Sequence, residues 1–158
     1  MNLLDLSNYK RMTPKDCWDE HGWGSELTLE SPTVLYLAID GHEIFVDTAG
    51  SNVDYGGAVC CEISDEHRSL DGQYFADTTQ DAIRGAVVDS IGFQVMQDVD
   101  NCEDAVNVIA GNAYRLLFGK PFFELTDGTI EQLNVLLGFA REFVKANIRW
   151  VDYEWEEF

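Results

Sequence analysis

Two runs rich in β-branched and aromatic residues, TVLYLAI (33–39) and HEIFVDT (42–48), are separated only by Asp40-Gly41. Asp-Gly is a favoured pair for the two-residue turn that joins antiparallel strands, so this stretch predicts a β-hairpin. GSNVDYGG (50–57) reads as a loop, AVCCEIS (58–64) as a third strand and GQYFA (72–76) as a short fourth. Together these runs predict an antiparallel meander. Upstream, MNLLDLSNYKRM makes a short apolar turn followed by a basic patch. TPKD then reads as a helix start, with Thr13 as N-cap, Pro14 at the first position and Asp16 placed for a capping box. That helix is short and ends near Gly22, with Trp18 and Trp23 available to anchor it.

After residue 77 the apolar period lengthens. Thr78 and Asp81 resemble a capping box, and Ile83, Val87, Ile91 and Val95 recur at four-residue spacing with Ala82 and Ala86 beside them. Gly85 and Gly92 each cost about 1 kcal/mol in a helix relative to Ala, which suggests close packing there. Asp100 or Asn101 caps a second helix carrying Val106, Ile109, Ala110, Ala113 and Leu117, which stops at Gly119-Lys120-Pro121. Thr129 with Gln132 starts a last helix running to about Trp150, with Leu133, Leu136, Leu137, Ala140, Phe143, Val144 and Ile148 on its apolar stripe. Arg141, Lys145 and Arg149 form a second stripe near its negative end. The expected fold is α+β: a short N-terminal helix, an antiparallel meander of about four strands, then three helices packed on one face of the sheet. Residues 1–158 read as a single domain with an acidic, aromatic tail over 150–158 that is expected to be flexible.

Charge changes this otherwise ordinary picture. Twenty-nine acidic residues against ten Lys and Arg give a net charge of −19 and a pI near 4.1, while 46% hydrophobic residues argue against disorder. Such a balance repels nucleic acid and anionic membranes and steers the protein toward cationic partners. From Asp16 to His67 there are twelve acids and no Lys or Arg, and from Asp71 to Ile109 eight acids face Arg84 alone. Six of the ten bases cluster in Lys10, Arg11, Lys15 and in Arg141, Lys145, Arg149. A salt-adapted surface would be acidic throughout, so this uneven placement favours a partner-facing anionic surface. No apolar run spans a membrane, the first segment does not resemble a signal peptide, and the expected location is the cytoplasm. Cys17, Cys60, Cys61 and Cys102 lack CxxC spacing and are expected to be reduced.

The chain offers little catalytic patterning. It has no HExxH, GxSxG, P-loop or dinucleotide fingerprint. Asp65-Glu66-His67 with His42 could converge on a metal, but reads more simply as a solvated loop. QDVDNCED (97–104) lacks the glycine and distal glutamate of a calcium loop and reads as a helix-capping acidic turn. Cys60 and Cys61, adjacent on a strand, point to opposite faces, and no convergent histidine is visible to activate either. The expectation is a non-enzymatic protein without a cofactor or metal.

The stretch DGQYFADTTQDAIRGAVVDSIGFQVM (71–96) resembles the strand-to-helix segment of ArdB/KlcA-type antirestriction proteins. In that family an aromatic-ended strand leads to a Ser/Thr, an Asp-Ala pair, a Gly and an apolar helix, matched here by Phe75, Thr79, Asp81, Ala82 and, after a one-residue insertion, Gly85. The resemblance is confined to residues 71–96 and implies a mobile-element protein that relieves host restriction. The composition is similar in strategy to phage-encoded DNA-mimic antirestriction and anti-CRISPR inhibitors.

The leading expectation is therefore an acidic inhibitor that binds the cationic nucleic-acid-binding surface of a nuclease or effector complex. An immunity protein against a basic nuclease toxin is the alternative, and a small enzyme or metal-binding protein of a salt-adapted organism the third. Two patches are candidates for contact. One is the terminal WVDYEWEEF, with Asp152, Glu154, Glu156 and Glu157 for arginine pairing and Tyr153 and Trp155 as ring anchors. The other is Asp40, Glu43, Asp47 and Asp54, of which Glu43 and Asp47, four apart on a strand, share a face.

Overall fold

The computed structural model describes residues 2–23, 31–52, 58–65, 71–98, 101–119 and 126–147. After a single 3₁₀ turn at Leu6–Asn8 come β1 (Lys10–Met12), α1 (Pro14–His21), β2 (Val34–Ile39), β3 (His42–Asn52), β4 (Ala58–Asp65), β5 (Asp71–Ala76), α2 (Thr79–Asp98), α3 (Cys102–Phe118) and α4 (Asp127–Ala146). The strands form one antiparallel sheet in the order β1-β2-β3-β4-β5. The expected α+β architecture is present, with a fifth strand, the short β1, in the stretch read as a basic patch.

The β2–β3 turn is as its dipeptide predicts. Asp40 and Gly41 have φ of 50° and 81°, and Ile39 pairs directly with His42. Both positive φ values belong to a type I′ turn, whose twist matches the flanking strands. The tight turn fixes the register, and with it which side chains meet: Tyr36 opposite Phe45, Ala38 opposite Glu43 and Val34 opposite Asp47. β3 extends to Asn52, past the expected strand end at 48, with a register shift against β4 between Asp47 and Asn52.

Strand alternation then divides the sheet into two faces. Leu35, Leu37, Ile44, Val46, Cys61 and Ile63 face α2, α3 and α4 and build the main core with Ile83, Val87, Ile109, Leu117, Leu136 and Val144. Among the described residues the helical stripes expected from the spacing are buried, Leu133 and Leu137 partly. Gly85 lies against the Tyr74 ring and Gly92 against the Phe143 ring, so these glycines do bring α2 close to β5 and α4. The N-terminal segment is tied on by Leu3 N–H donating to the Leu117 carbonyl at 2.7 Å and Tyr9 Oη donating to the Leu3 carbonyl at 2.7 Å.

The caps are mostly those the sequence advertises. Thr13 Oγ1 accepts from Asp16 N–H at 3.0 Å, α1 closes at Gly22 in the left-handed region, and Thr78 Oγ1 accepts from Asp81 N–H at 3.2 Å. Asn101, rather than Asp100, caps α3, and Gly119 ends it. The start of α4 is corrected: its cap is Thr126, whose Oγ1 accepts from Thr129 N–H, so the helix begins three residues earlier than Thr129 and Gln132 suggest. Ile148, Arg149 and Trp150 lie outside the described residues.

Asn101 Oδ1 accepts from both Glu103 N–H at 2.8 Å and Asp104 N–H at 3.2 Å, two donors the helix itself cannot satisfy. Asn101→Ala is expected to lower unfolding free energy by about 1 kcal/mol in urea titration, and Asn101→Ser to recover most of it.

Candidate functional site

α1 lies on the sheet face opposite the three long helices. Cys17 of α1 packs there with Met12, Val34 and Phe45 in a small second core, with Trp23 and Tyr36 partly buried against it. α1 spans only eight residues, and polar side chains of β3 and β4 occupy the sheet face beside it. By alternation this outer face carries Glu43, Phe45 and Asp47 of β3 and Cys60 and Glu62 of β4.

The rings on this face form a continuous stack. Trp23 lies parallel to Phe45 with centroids 4.9 Å apart, Tyr36 is 5.1 Å from Phe45, and His21 stacks on Tyr36 at 4.2 Å. Two carboxylates are attached to the polar tips of these rings. Tyr36 Oη donates to Glu43 Oε2 at 2.9 Å, and Trp23 Nε1 donates to Glu62 Oε2 at 2.6 Å. His21 adds to the first of these, its Nδ1 3.5 Å from Glu43 Oε2 and its Nε2 3.8 Å from Glu20 Oε2. Burial first, and then the Glu43 carboxylate, push the Tyr36 phenol up to about 12, so it remains a donor across the physiological range.

This arrangement has a chemical consequence. An ionised carboxylate can accept about four hydrogen bonds. Glu43, 45% exposed, and Glu62 each spend part of that capacity on a ring donor that fixes their position, leaving oxygen lone pairs to meet an incoming cation. Ring-fixed carboxylates lose less side-chain entropy on binding than free ones. Among the described residues, Lys15 on α1 lies 3.3 Å from Asp19, and Lys10 stands on β1 opposite Tyr36.

Compared with family models, with curated proteins and with solved structures, the chain gives no match. Residues 71–96 form β5 and all but the end of α2.

Of the residues singled out from sequence, Glu43 and Asp47 do share the outer face, and Asp40 is exposed at the tip of the hairpin. Asp54, Asp152, Tyr153, Glu154, Trp155, Glu156 and Glu157 lie outside the described residues. Sequence reasoning missed Glu62, His21 and Tyr36 as members of the site, and took Trp23 only as an anchor. The Asp-Gly turn could have supplied Tyr36, since it sets Tyr36 opposite Phe45; the partnership of Trp23 with Glu62, 39 residues apart, has no local signal.

The cysteines divide as expected. Cys61 is fully buried in the main core and Cys60 lies on the outer face, 3.7 Å from Gln73 Nε2. Burial pushes the Cys60 and Cys17 thiols each up to about 11 and holds Cys61 well above its ordinary value, so all three favour the thiol over the nucleophilic thiolate. Among the described residues no three His, Cys, Asp or Glu side chains converge as metal ligands, and no described helix is long and apolar enough to cross a membrane. Glu66 and His67 lie outside the described residues.

Proposed function

We propose that this protein is an acidic inhibitor of a nucleic-acid-processing enzyme, of the kind phages and mobile elements use against host defence. Its outer sheet face docks on a Lys- and Arg-lined surface of a nuclease or effector complex in place of phosphates. The observation that supports this reading most is the pairing of Glu43 with Tyr36 and Glu62 with Trp23, which presents two positioned carboxylates beside a ring stack. Carboxylates of this kind match the guanidinium geometry of a nucleic-acid channel, and the rings offer rigid contact area. The net charge of −19 adds long-range steering. The resemblance of residues 71–96 to ArdB/KlcA-type proteins points within this class to relief of restriction.

The test begins with capture from host lysate at low and moderate salt, followed by assay of the retained nuclease with and without the protein. The expected result is a nuclease or effector complex that elutes as salt rises and is inhibited stoichiometrically. Glu43→Gln/Glu62→Gln should associate about three- to tenfold more slowly and show a flatter salt dependence, because it removes two steering charges without removing the rings. Capture of a basic toxin nuclease in place of a host effector would move the reading to immunity. Unchanged association of the double variant, or no inhibition of any retained nuclease, would remove the outer face from the mechanism.

A further inference from the structure

α1 and Trp23 sit in the connection between β1 and β2, which are neighbours in the sheet. Lifting that connection off the outer face would break none of the pairing between the two strands. Of the eight residues of α1 only Cys17 is buried, while Lys15, Asp16, Asp19 and Glu20 are exposed on its other side. Eight residues fall well short of the roughly 12–15 that an isolated helix needs in water, so docking is what keeps α1 helical. Its underside meets Met12, Val34 and Phe45, a cluster separate from the main core, to which no residue of α1 belongs. Side chains at its far end hold it down. Trp23 Nε1 donates to Glu62 Oε2 at 2.6 Å with the indole flat on Phe45, and His21 stacks on Tyr36 with its Nδ1 3.5 Å from Glu43 Oε2.

An element with one buried side chain, its own small cluster and no strand pairing to lose is a unit that opens locally, well before the whole fold does. The main core, on the other face of the sheet, keeps its contacts when α1 lifts. The strongest single tie is the one from Trp23 to an ionised acceptor, since hydrogen bonds to charged groups exceed neutral ones. We propose that α1 with Trp23 is a lid on the outer sheet face, opening as a unit while the rest of the fold stays intact, with Glu62 as its catch. Closed, the lid joins Trp23 to Glu62 and His21 to Glu43, and so fixes both carboxylates. Open, it bares Met12, Val34 and Phe45 beside them. The lid rests on topology and packing, and holds whichever partner the outer face meets.

The probe is iodoacetamide on the native full chain, with the rate at each cysteine read by peptide mass spectrometry. Cys17 and Cys61 are both 0% exposed, one under the lid and the other in the main core. Burial keeps both as thiols, so each reacts only when its cover opens. Expected is alkylation of Cys17 about tenfold or more faster than of Cys61, whose adduct is told from that of Cys60 by fragment spectra. Ile109→Val, at a fully buried position of the main core, should speed Cys61 about fivefold and leave Cys17 within about twofold, because the core stays packed when only the lid opens. Glu62→Ala should speed Cys17 about tenfold, in line with a lost hydrogen bond to a charged acceptor. Glu131→Ala, which removes the same charge from α4, should move Cys17 by no more than about twofold. Equal rates at Cys17 and Cys61, or an Ile109→Val variant that speeds both alike, would mean that α1 leaves only with global unfolding and would overturn the proposal. A Cys17 rate unmoved by Glu62→Ala would overturn Glu62 as the catch. The comparison of the two thiols is made on the unaltered chain, so it decides the matter even if a variant folds poorly.

Discussion

Gly72→Ala is expected to cost about 3 kcal/mol, a large fraction of the 5–15 kcal/mol that holds a domain of this size together. A Cβ at residue 72 would press on the Ser90 side chain and the Ala86 carbonyl, and would stand 2.8 Å from the Ser90 backbone nitrogen. The opposing atoms are largely helix backbone, which cannot retreat as a flexible side-chain tip can. α2 is further held there by Ser90, only 2% exposed, whose Oγ donates to the Ala86 carbonyl at 2.8 Å. Its other flank, through Ile83, Val87 and Val88, is sealed in the core. Relief therefore requires β5 to lift from α2 or the whole helix to shift. Gly138→Ala in α4 is the matched control. That position is exposed with nothing within 4 Å of a new Cβ, so the change should stabilise by about 0.5–1 kcal/mol through helix propensity and the unfolded chain. Urea midpoints at constant slope measure both. A Gly72→Ala variant within 1 kcal/mol of the parent would show that β5 does not sit on α2 as closely as described.

The fold was legible wherever one local feature decided the outcome. Asp40-Gly41 announced its turn because few dipeptides accept two consecutive positive φ values, and the turn then set the whole β2–β3 register. The α2 and α3 stripes were legible because each apolar residue they repeat is buried at its expected position. β1 was not legible. Three residues, Lys10-Arg11-Met12, carry no alternation, and two are exposed; they form a strand only because the edge of β2 is there to pair with. The start of α4 was misplaced for a different reason. Thr129 with Gln132 matches the capping box, whereas Thr126 is followed three residues on by Thr129 and does not; yet Thr126 is the cap, with Gly128 in the first helical turn.

The candidate sites follow the same division. Glu43 and Asp47 could be placed on one face because strand alternation is a local rule. Their surroundings could not, because the outer face is assembled from α1, β2, β3 and β4, and its decisive contacts join residues such as Trp23 and Glu62 that the chain separates widely. Acid–aromatic interleaving, conspicuous in the terminal WVDYEWEEF, is thus reproduced in the described fold by elements in which it is hardly visible along the chain. Ring donors holding carboxylates on the outer sheet face offer a structural reason for an acidic protein to be rich in Trp and Tyr.

Asp89 should make stability fall as pH rises from about 4 to about 7, and Asp89→Asn should abolish that contribution. The residue lies on α2 one turn after Gly85, which abuts Tyr74, and one turn before Gly92, which abuts Phe143. Its carboxyl is consequently drawn into the seam between α2, β5 and α4, and among the described residues no donor or cation pairs with it. Burial pushes its pKa from 3.8 up to about 7. The nearby charges acting on Tyr74, Glu142 and Asp81, are acidic as well and offer it no relief. Between those two values the folded protein retains a proton that the unfolded chain has released, so folding is penalised progressively as pH rises and the penalty levels off above 7. The full shift would correspond to about 4 kcal/mol at 1.4 kcal/mol per pH unit; allowing for the partial exposure of Asp89, about 2 kcal/mol is expected. Asparagine keeps the shape and removes the charge. Asp89→Asn should therefore be about 2 kcal/mol more stable than the parent at pH 8, with the gap closing toward pH 4, and urea unfolding of both proteins at pH 4, 6 and 8 measures it. Taking the difference between the two proteins removes the general self-repulsion of the other twenty-eight acids, which both share. A gap that stays constant across this range would mean that Asp89 is ionised and solvated in the folded state, and that the seam is open to water at that point.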